Sequence, residues 1–448
     1  MSDSPTLSRQ LTDLIRQKTV SEADLEHAAY FTLDAVANAL AGCNTVPGQK
    51  LLRWGALQGD DAGRRAFVLG GVTHILETDD LHRESVTHPG CVVVPAVLAL
   101  AEGQTVAGPD FLKAVLHGFE AMCRVGNAVG PRHYRIWHNT ATCGPYGSAM
   151  AAATLENLSD EQAMHALGNA GTQSSGFWEF LETGAMSKHL HAGRAAESGI
   201  TAAQLAALDF TGPPAILEGS RGFFAAACPD AAPQAVLADP RQPWALLQTS
   251  IKPWPCCRHT HPAIDAALAL HRELAGSAIE SVAIGTYQAA LDVCDRARPA
   301  NEYEAKFSLH HTVAAALEQG RIEFDSFDAN QRSALEPLRS RTTVSASEPY
   351  VSAYPNSWGA RVRVTTGAGA TLEQEREGAR GDPEFALDDR EMIDKAKMLF
   401  DFAGFDPAAA GEITDSVLSL AAGRSGSDLS AALHERLRQA AANGRRDR

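Results

Sequence analysis

The chain has no Cys-x-x-Cys pair, no His-Glu-x-x-His run and no apolar stretch long enough to span a membrane. Zinc ribbons, redox dithiols and cysteine-held iron–sulfur clusters need closely spaced thiols, so the eight scattered cysteines are expected to be buried free thiols. The longest apolar run, Cys91 to Ala101, falls well short of the roughly 18 residues a membrane helix requires and carries Pro95. The opening residues, MSDSPTLSRQLTDLIRQ, hold no apolar segment of the secretory kind, so a cytoplasmic location is the expectation. Positive charge is also short: 39 Lys and Arg stand against 54 Asp and Glu, a net charge of -15. A surface of that sign repels nucleic acid and anionic membrane, and neither is expected as a partner. No internal repeat and no low-complexity linker is visible.

With 448 residues and 45% hydrophobic content, the chain has apolar sequence for two domains. Residues 1 to about 250 read as mostly helix. Ser21 with Asp24 makes a capping-box pattern ahead of an Ala/Leu-rich stretch that stops near Gly42, and Ser159 with Gln162 opens another. Alanine-rich segments at 148–155 and 195–208 allow close helix packing. After about residue 270 a period of two appears: Ile279–Tyr287 and Ala360–Thr365 alternate, and Gly-Ala-Gly at 367–369 suits a hairpin. Phe307–Glu318 reads as helix, the charged stretch 373–389 as a solvated loop, and DDREMIDKAKMLF as a return to helix. The expected fold is mostly α: a large all-helical domain of residues 1–268, completed by 392–448, plus a smaller α+β domain of 269–391.

Four stretches gather polar groups in apolar surroundings. ETDDLHRESVTHPG, 77–90, presents Glu77, Asp79, Asp80, His82 and His88 just before the apolar run, where a loop can point side chains inward. RHYRIWHNTATCGPYGSA, 132–149, sets His138 and Tyr146 beside aromatic residues and a glycine-rich turn. GAMSKHLHAGRAAESG, 184–199, carries Lys188, His189, His191 and Arg194 among small residues that leave backbone N–H groups open to an anion. A basic residue at a helix start opposes the helix dipole, which weakens a purely structural account of Lys188. KPWPCCRHTHPAIDAALAL, 252–270, places Arg258, His259 and His261 ahead of an apolar helix that begins near Pro262. Solvated loops and satisfied core histidines are the alternative at each place. Lys, Arg and His hold carboxylates and move protons, so the expectation is a locally positive site for a small polycarboxylate.

Taken in chain order, these stretches form a recognisable series. Asp79-Asp80 followed by Thr87-His88-Pro89-Gly90, H-x-T-x-T-x-G at 138–144, K-x-L-H-x-G-x-A-A at 188–196, L-E-G-x-x-G-F at 217–223, K-P-W-P-C followed by T-H-x-x-I-D-A-A, and A-K-F-S-L at 305–309 resemble the MmgE/PrpD family. That family includes 2-methylcitrate dehydratase, cis-aconitate decarboxylase and iminodisuccinate epimerase. The resemblance runs from about residue 20 to 420. It implies a helical domain built from both chain ends, a smaller α+β lid domain, a homodimer, and a cofactor-free site between domains at the positions of Asp79 or Asp80, His88, His138, Lys188 and His261. The sequence departs from the family pattern at Glu77, where Asp is usual, at Leu81, where Thr is common, and at His311, where Tyr is frequent.

The reactions of that family share one demand: a proton or carboxylate leaves a carbon next to a carboxylate, and the resulting charge must be stabilised. Lys188 is expected to hold that carboxylate, with His138 and His88 as base and acid. Asp79 or Asp80 would orient an imidazole, and His261 and Arg258 would meet a distal carboxylate. Glu77, His82, Tyr146, His191, Arg194 and His311 complete the expected substrate-binding set. No metal or cofactor is expected. Dehydration of a 2-methylcitrate-like substrate leads, with decarboxylation of an aconitate-like acid or epimerisation of an iminodisuccinate-like dicarboxylate as alternatives. Two other classes fit the residue types: a metallohydrolase using His189/His191, His259/His261 or His310/His311 with Asp79 and Asp80, and a non-catalytic binder of organic anions.

Overall fold

The computed structural model describes residues 5–443. They divide into two compact units, one running up to residue 250 and resuming at 392, the other comprising 251–391. The boundary expected at 268/269 therefore moves to 250/251. The reason is the His261–Leu274 helix, whose Ile264, Ala267 and Leu270 are buried in the core of the second unit.

The first unit is helical. Its Glu22–Cys43 helix starts on a capping box, with Ser21 N donating to the Asp24 carboxylate at 2.8 Å and Asp24 N donating back to Ser21 Oγ. Asp160–Gly171 starts the same way from Ser159 and Gln162. Every residue of the Gly90–Ala101 helix is buried, Pro95 included, so this element is surrounded and needs no polar stripe. Asn139–Leu155 is buried through Ala153. Across it lies Ser187–Ala207, held close by small residues. A Cβ on Gly193 would lie 2.3 Å from the Phe67 carbonyl oxygen of the Ala62–Thr73 helix, and one on Gly199 would lie 2.0 Å from Ser148 Oγ. Only glycine permits these approaches, and they fix where the helix begins and hence where Lys188 sits.

The segment from 74 to 90 interrupts the helices and bears most of the acidic and imidazole groups. Its strand β1 (Leu81–His82) pairs antiparallel with β2 (Thr249–Ser250). Beneath it, Lys395 of the returning Asp389–Ala403 helix donates to Thr78 O at 2.7 Å and pairs with buried Asp34, while Thr78 Oγ1 donates to Asn38. The loop is thus pinned by buried polar contacts from two helices.

In the second unit β3 (Ile279–Thr286), β4 (Thr342–Ala346), β5 (Ala360–Thr366) and β6 (Thr371–Arg376) form one sheet in the order β4-β3-β5-β6. Strand β3 runs parallel to β4 and antiparallel to β5, with Ile284 opposite both Val344 and Val362. The His261–Leu274 and Leu309–Gln319 helices share one buried cluster with Val282, Ile284, Val362 and Val364. The stretch 373–389 is not a loop throughout. Glu373 and Glu375 lie on the edge strand β6 opposite Arg363 and Arg361, and Asp382 is buried against Arg258. Charged edge strands satisfy their side chains across the ladder, which makes them look like solvated loops in sequence. All eight cysteines are free thiols. No helix among the described residues is long and apolar enough to cross a membrane.

Candidate active site

Asp79 is the hub of a cluster in the first unit. Its Oδ2 lies 2.6 Å from His74 Nδ1 and 3.2 Å from His88 Nδ1. His74 caps the end of the Ala62–Thr73 helix, and His88 stands two residues before the buried Gly90–Ala101 helix. Neighbouring Asp80 is held by the helix start, both carboxylate oxygens accepting from Gly90 N at 3.0 Å. Glu77 adopts φ 61, a left-handed conformation that costs a non-glycine residue of order 1 kcal/mol, and pairs with Lys188 Nζ in the first turn of the Ser187–Ala207 helix. His88 N donates to Thr140 Oγ1 at 3.1 Å, tying this loop to the helix that follows His138. The His138 ring stacks on His74 at 5.7 Å and packs tilted against Trp178 at 4.6 Å, and its Nδ1 lies 3.3 Å from His191 Nδ1.

Burial sets the charges. It pulls His74 down to about 3, with the Lys188 ammonium adding to the effect and Asp79 only partly opposing it. Burial, with His74 and Lys188 nearby, holds His138 well below the usual imidazole range, and burial takes His191 to about 4. For Asp79 burial favours the acid, but His74 and His88 outweigh it and keep the carboxylate well below its ordinary range. Asp80 moves upward instead, through burial and the neighbouring Asp79 and Asp34. Burial opposes the Lys188 ammonium, yet Glu77 and Asp79 raise it. At neutral pH the cluster therefore holds an ammonium, the Asp79 carboxylate and neutral imidazoles at His74, His138 and His191, with His74 donating Nδ1–H to Asp79.

Asp79, Asp80, His88, His138, Lys188, Glu77 and His191 thus come together. Within the first unit, His82, Tyr146 and Arg194 are engaged elsewhere. His82 folds its own turn, with Nδ1 2.8 Å from Ser85 Oγ. Tyr146 is core: it is buried against Phe223 and Gly171, because its helix is enclosed on all sides. Arg194 has a side chain 55% exposed and binds Glu197 at 2.6 Å. His261, Arg258 and His311 belong to the second unit. There His261 is buried beside Trp254, with Nε2 3.3 Å from Cys256 O. Arg258 is paired with buried Asp382, which neutralises the charge meant for a substrate carboxylate. His311 places Nε2 2.8 Å from Ser326 O and Nδ1 3.3 Å from Arg339 Nη1, so both ring nitrogens serve the unit's own core.

Sequence reasoning missed His74 and Trp178. The only signal for His74 was a lone imidazole closing an apolar helix five positions before Asp79. It also left Cys91 as a plain core thiol. His74, Asp79 and Cys91 offer ligand atoms within 4.8 Å of one another, as do Asp79, Asp80 and His88. The donor chemistry fits a metal poorly. Burial and Asp79 push the Cys91 thiol well above its usual range, it donates to His88 O at 3.2 Å, and Asp79 already serves two imidazoles. None of the adjacent or alternate histidine pairs joins such a group among the described residues.

The family model of the MmgE/PrpD N-terminal domain matches residues 9–235, and that of the MmgE/PrpD C-terminal domain matches 254–420. Cis-aconitate decarboxylase of Aspergillus terreus is 27% identical over 439 residues, 88% of this chain and 89% of the relative. A cis-aconitate decarboxylase-like protein of Aspergillus oryzae is 27% identical over 384 residues, 79% of each chain. Human cis-aconitate decarboxylase is 28% identical over 277 residues, 58% of this chain and 56% of the relative.

Proposed function

The chain belongs to the MmgE/PrpD family, and from that premise we propose that it is a lyase acting on a small di- or tricarboxylic acid by proton transfer at a carbon next to a carboxylate. The observation that carries this reading is the convergence of Lys188, His88 and His138 around Asp79, close enough that the Lys188 charge acts on both His74 and His138. Lys188 holds a substrate carboxylate and stabilises charge that spreads onto it. Asp79 fixes the tautomer and direction of His74 and His88. His138, kept neutral by burial, exchanges a proton with carbon, and His88 serves as the second proton-transfer group. These steps call on side chains of this chain alone.

Dehydration of a 2-methylcitrate-like acid was the first expectation. The names of the relatives move decarboxylation of an aconitate-like acid ahead of it, with dehydration second and epimerisation third. The same reading takes the working form to be a homodimer. Incubation with cis-aconitate and, separately, with 2-methylcitrate in deuterated water, followed by NMR, tests the proposal. Decarboxylation predicts loss of carbon dioxide with one deuteron entering the product from solvent, and chelator should leave the rate unchanged. A folded protein that turns over neither acid refutes the reading, and activity lost to chelator and restored by a divalent metal would move it to the metallohydrolase class.

A further inference from the structure

His138 and His191 meet through the same ring atom, Nδ1 to Nδ1, at 3.3 Å. Burial keeps both rings neutral. Two neutral imidazoles facing in this way hold one proton between them, because two N–H groups would collide and two lone pairs would repel. Their tautomers are therefore linked. When His191 donates, His138 carries its own proton on Nε2; when His138 donates, its Nε2 offers a lone pair.

The pairing is built by the surrounding backbone. Gly176 O accepts from His138 N at 3.0 Å, while a Cβ at Gly176 would come within 3.2 Å of His191 Nδ1. With φ at +127° this position favours glycine on conformational grounds as well. One residue thus holds the start of the His138 helix and makes room for the His191 ring. His191 also lines a cavity of about 300 Å³ whose walls include apolar Pro145, Phe177 and Leu190 and polar Gln173, Ser175 and Arg194, and those polar groups can hold a water.

We propose that His191 is a positioning and relay residue that sets the tautomer of His138 and connects it to this cavity. The proposal rests on the reading above that His138 exchanges a proton with substrate. In decarboxylation, the bond between carbon and the departing carboxylate breaks, carbon dioxide leaves, and the electron pair left on the substrate takes one proton. His138 Nε2–H supplies that proton, His191 Nδ1–H moves to His138 Nδ1, and a cavity water protonates His191 Nε2, its hydroxide being neutralised by a proton from bulk solvent. Both rings finish neutral with their tautomers exchanged. The opposite hop, driven by water that enters after product leaves, resets them. Such a route never places an imidazolium beside the Lys188 ammonium.

Steady-state kinetics of the full chain with His191→Phe and His191→Gln, alongside His138→Gln, tests this. Loss of part of a general acid–base contribution predicts that His191→Phe lowers kcat about 10- to 100-fold with KM within about twofold. His191→Gln, which keeps one hydrogen-bonding pole, should recover some of that loss. In the wild-type protein labelled with ¹⁵N-histidine, one Nδ1 of the pair should be protonated and the other not. Unchanged kcat in His191→Phe, or a rise in KM alone, overturns the relay, as do two unprotonated Nδ1 atoms. If His191→Phe fails to fold, the nitrogen spectra of the wild type decide. Retained turnover in His138→Gln would instead overturn the function on which the proposal rests.

Discussion

Replacing Lys188 by Met keeps the side chain's reach and removes the charge that faces Glu77 and Asp79. A substrate carboxylate about 4 Å from the ammonium, at an effective dielectric near 20, is attracted by about 4 kcal/mol. Glu77 already draws on part of that charge, so the recoverable share is smaller, but its carboxylate would then face the substrate uncompensated. At about 1.4 kcal/mol per tenfold, kcat/KM should fall by roughly two to three orders of magnitude. With only 16% and 24% of the Lys188 and Glu77 side chains in solvent, the pair is largely buried, so folding stability is measured alongside to separate a lost carboxylate contact from a lost ion pair. Adding Glu77→Gln to Lys188→Met removes the repulsion and should restore about tenfold, a coupling that two independent sites would not show. The assay is kcat/KM on whichever acid is turned over, with thermal midpoints measured in parallel. A loss under about threefold at unchanged midpoint refutes the carboxylate-holding role, and a double variant worse than Lys188→Met refutes the repulsion.

Lys395→Met should cost about 3–5 kcal/mol in urea unfolding because Asp34 is left charged and buried; an unchanged midpoint refutes this. Acid should destabilise the fold early. His74 and His117 are lowered to about 3 and His311 to about 4, so each is neutral when folded. Below about pH 6.5 the unfolded chain takes up protons the folded chain refuses, and stability falls from there toward pH 4 while being complete above 6.5. Equal urea midpoints at pH 7.5 and 5 would refute it. Binding of a dicarboxylate should draw in a proton, measured by calorimetry in buffers of different ionisation enthalpy; zero uptake would show that the site meets the anion without compensation.

Where the chain punctuates itself, the fold could be read from sequence. Ser21 with Asp24 and Ser159 with Gln162 start helices by local hydrogen bonds, and alternation over Ala360–Thr366 marks a strand with one buried face, while Ile279–Thr286 ends in three consecutive buried residues. The candidate site was legible to a similar depth. A residue type announces the chemistry it can perform, and the loop at 77–90 together with Lys188 and His138 announced proton transfer beside a held carboxylate. Whether such a group is free for that task depends on a partner far along the chain, which periodicity does not carry. Arg258 meets Asp382, and His311 meets Ser326 and Arg339. The boundary near 268 failed for a related reason: an apolar helix reads the same in either core, and only its contacts assign it to the second unit.

The expected positive patch inverts once the partners are known. Lys188 stands against Glu77 and Asp79, while burial strips His74, His138 and His191 of charge. Two carboxylates facing one ammonium cannot draw in a polyanion by long-range attraction, least of all within a chain of net charge -15. On the proposed function, recognition in this cluster is therefore short-range: a substrate carboxylate displaces or shares Glu77 on Lys188, and a proton comes in with it. That exchange has a chemical use. An imidazole kept neutral by burial is a poor resident cation, but it gives and takes protons with little reorganisation when charge develops beside it, and the arriving anion supplies that charge. On the proposed function, the cluster is thus electrostatically incomplete without its substrate carboxylate.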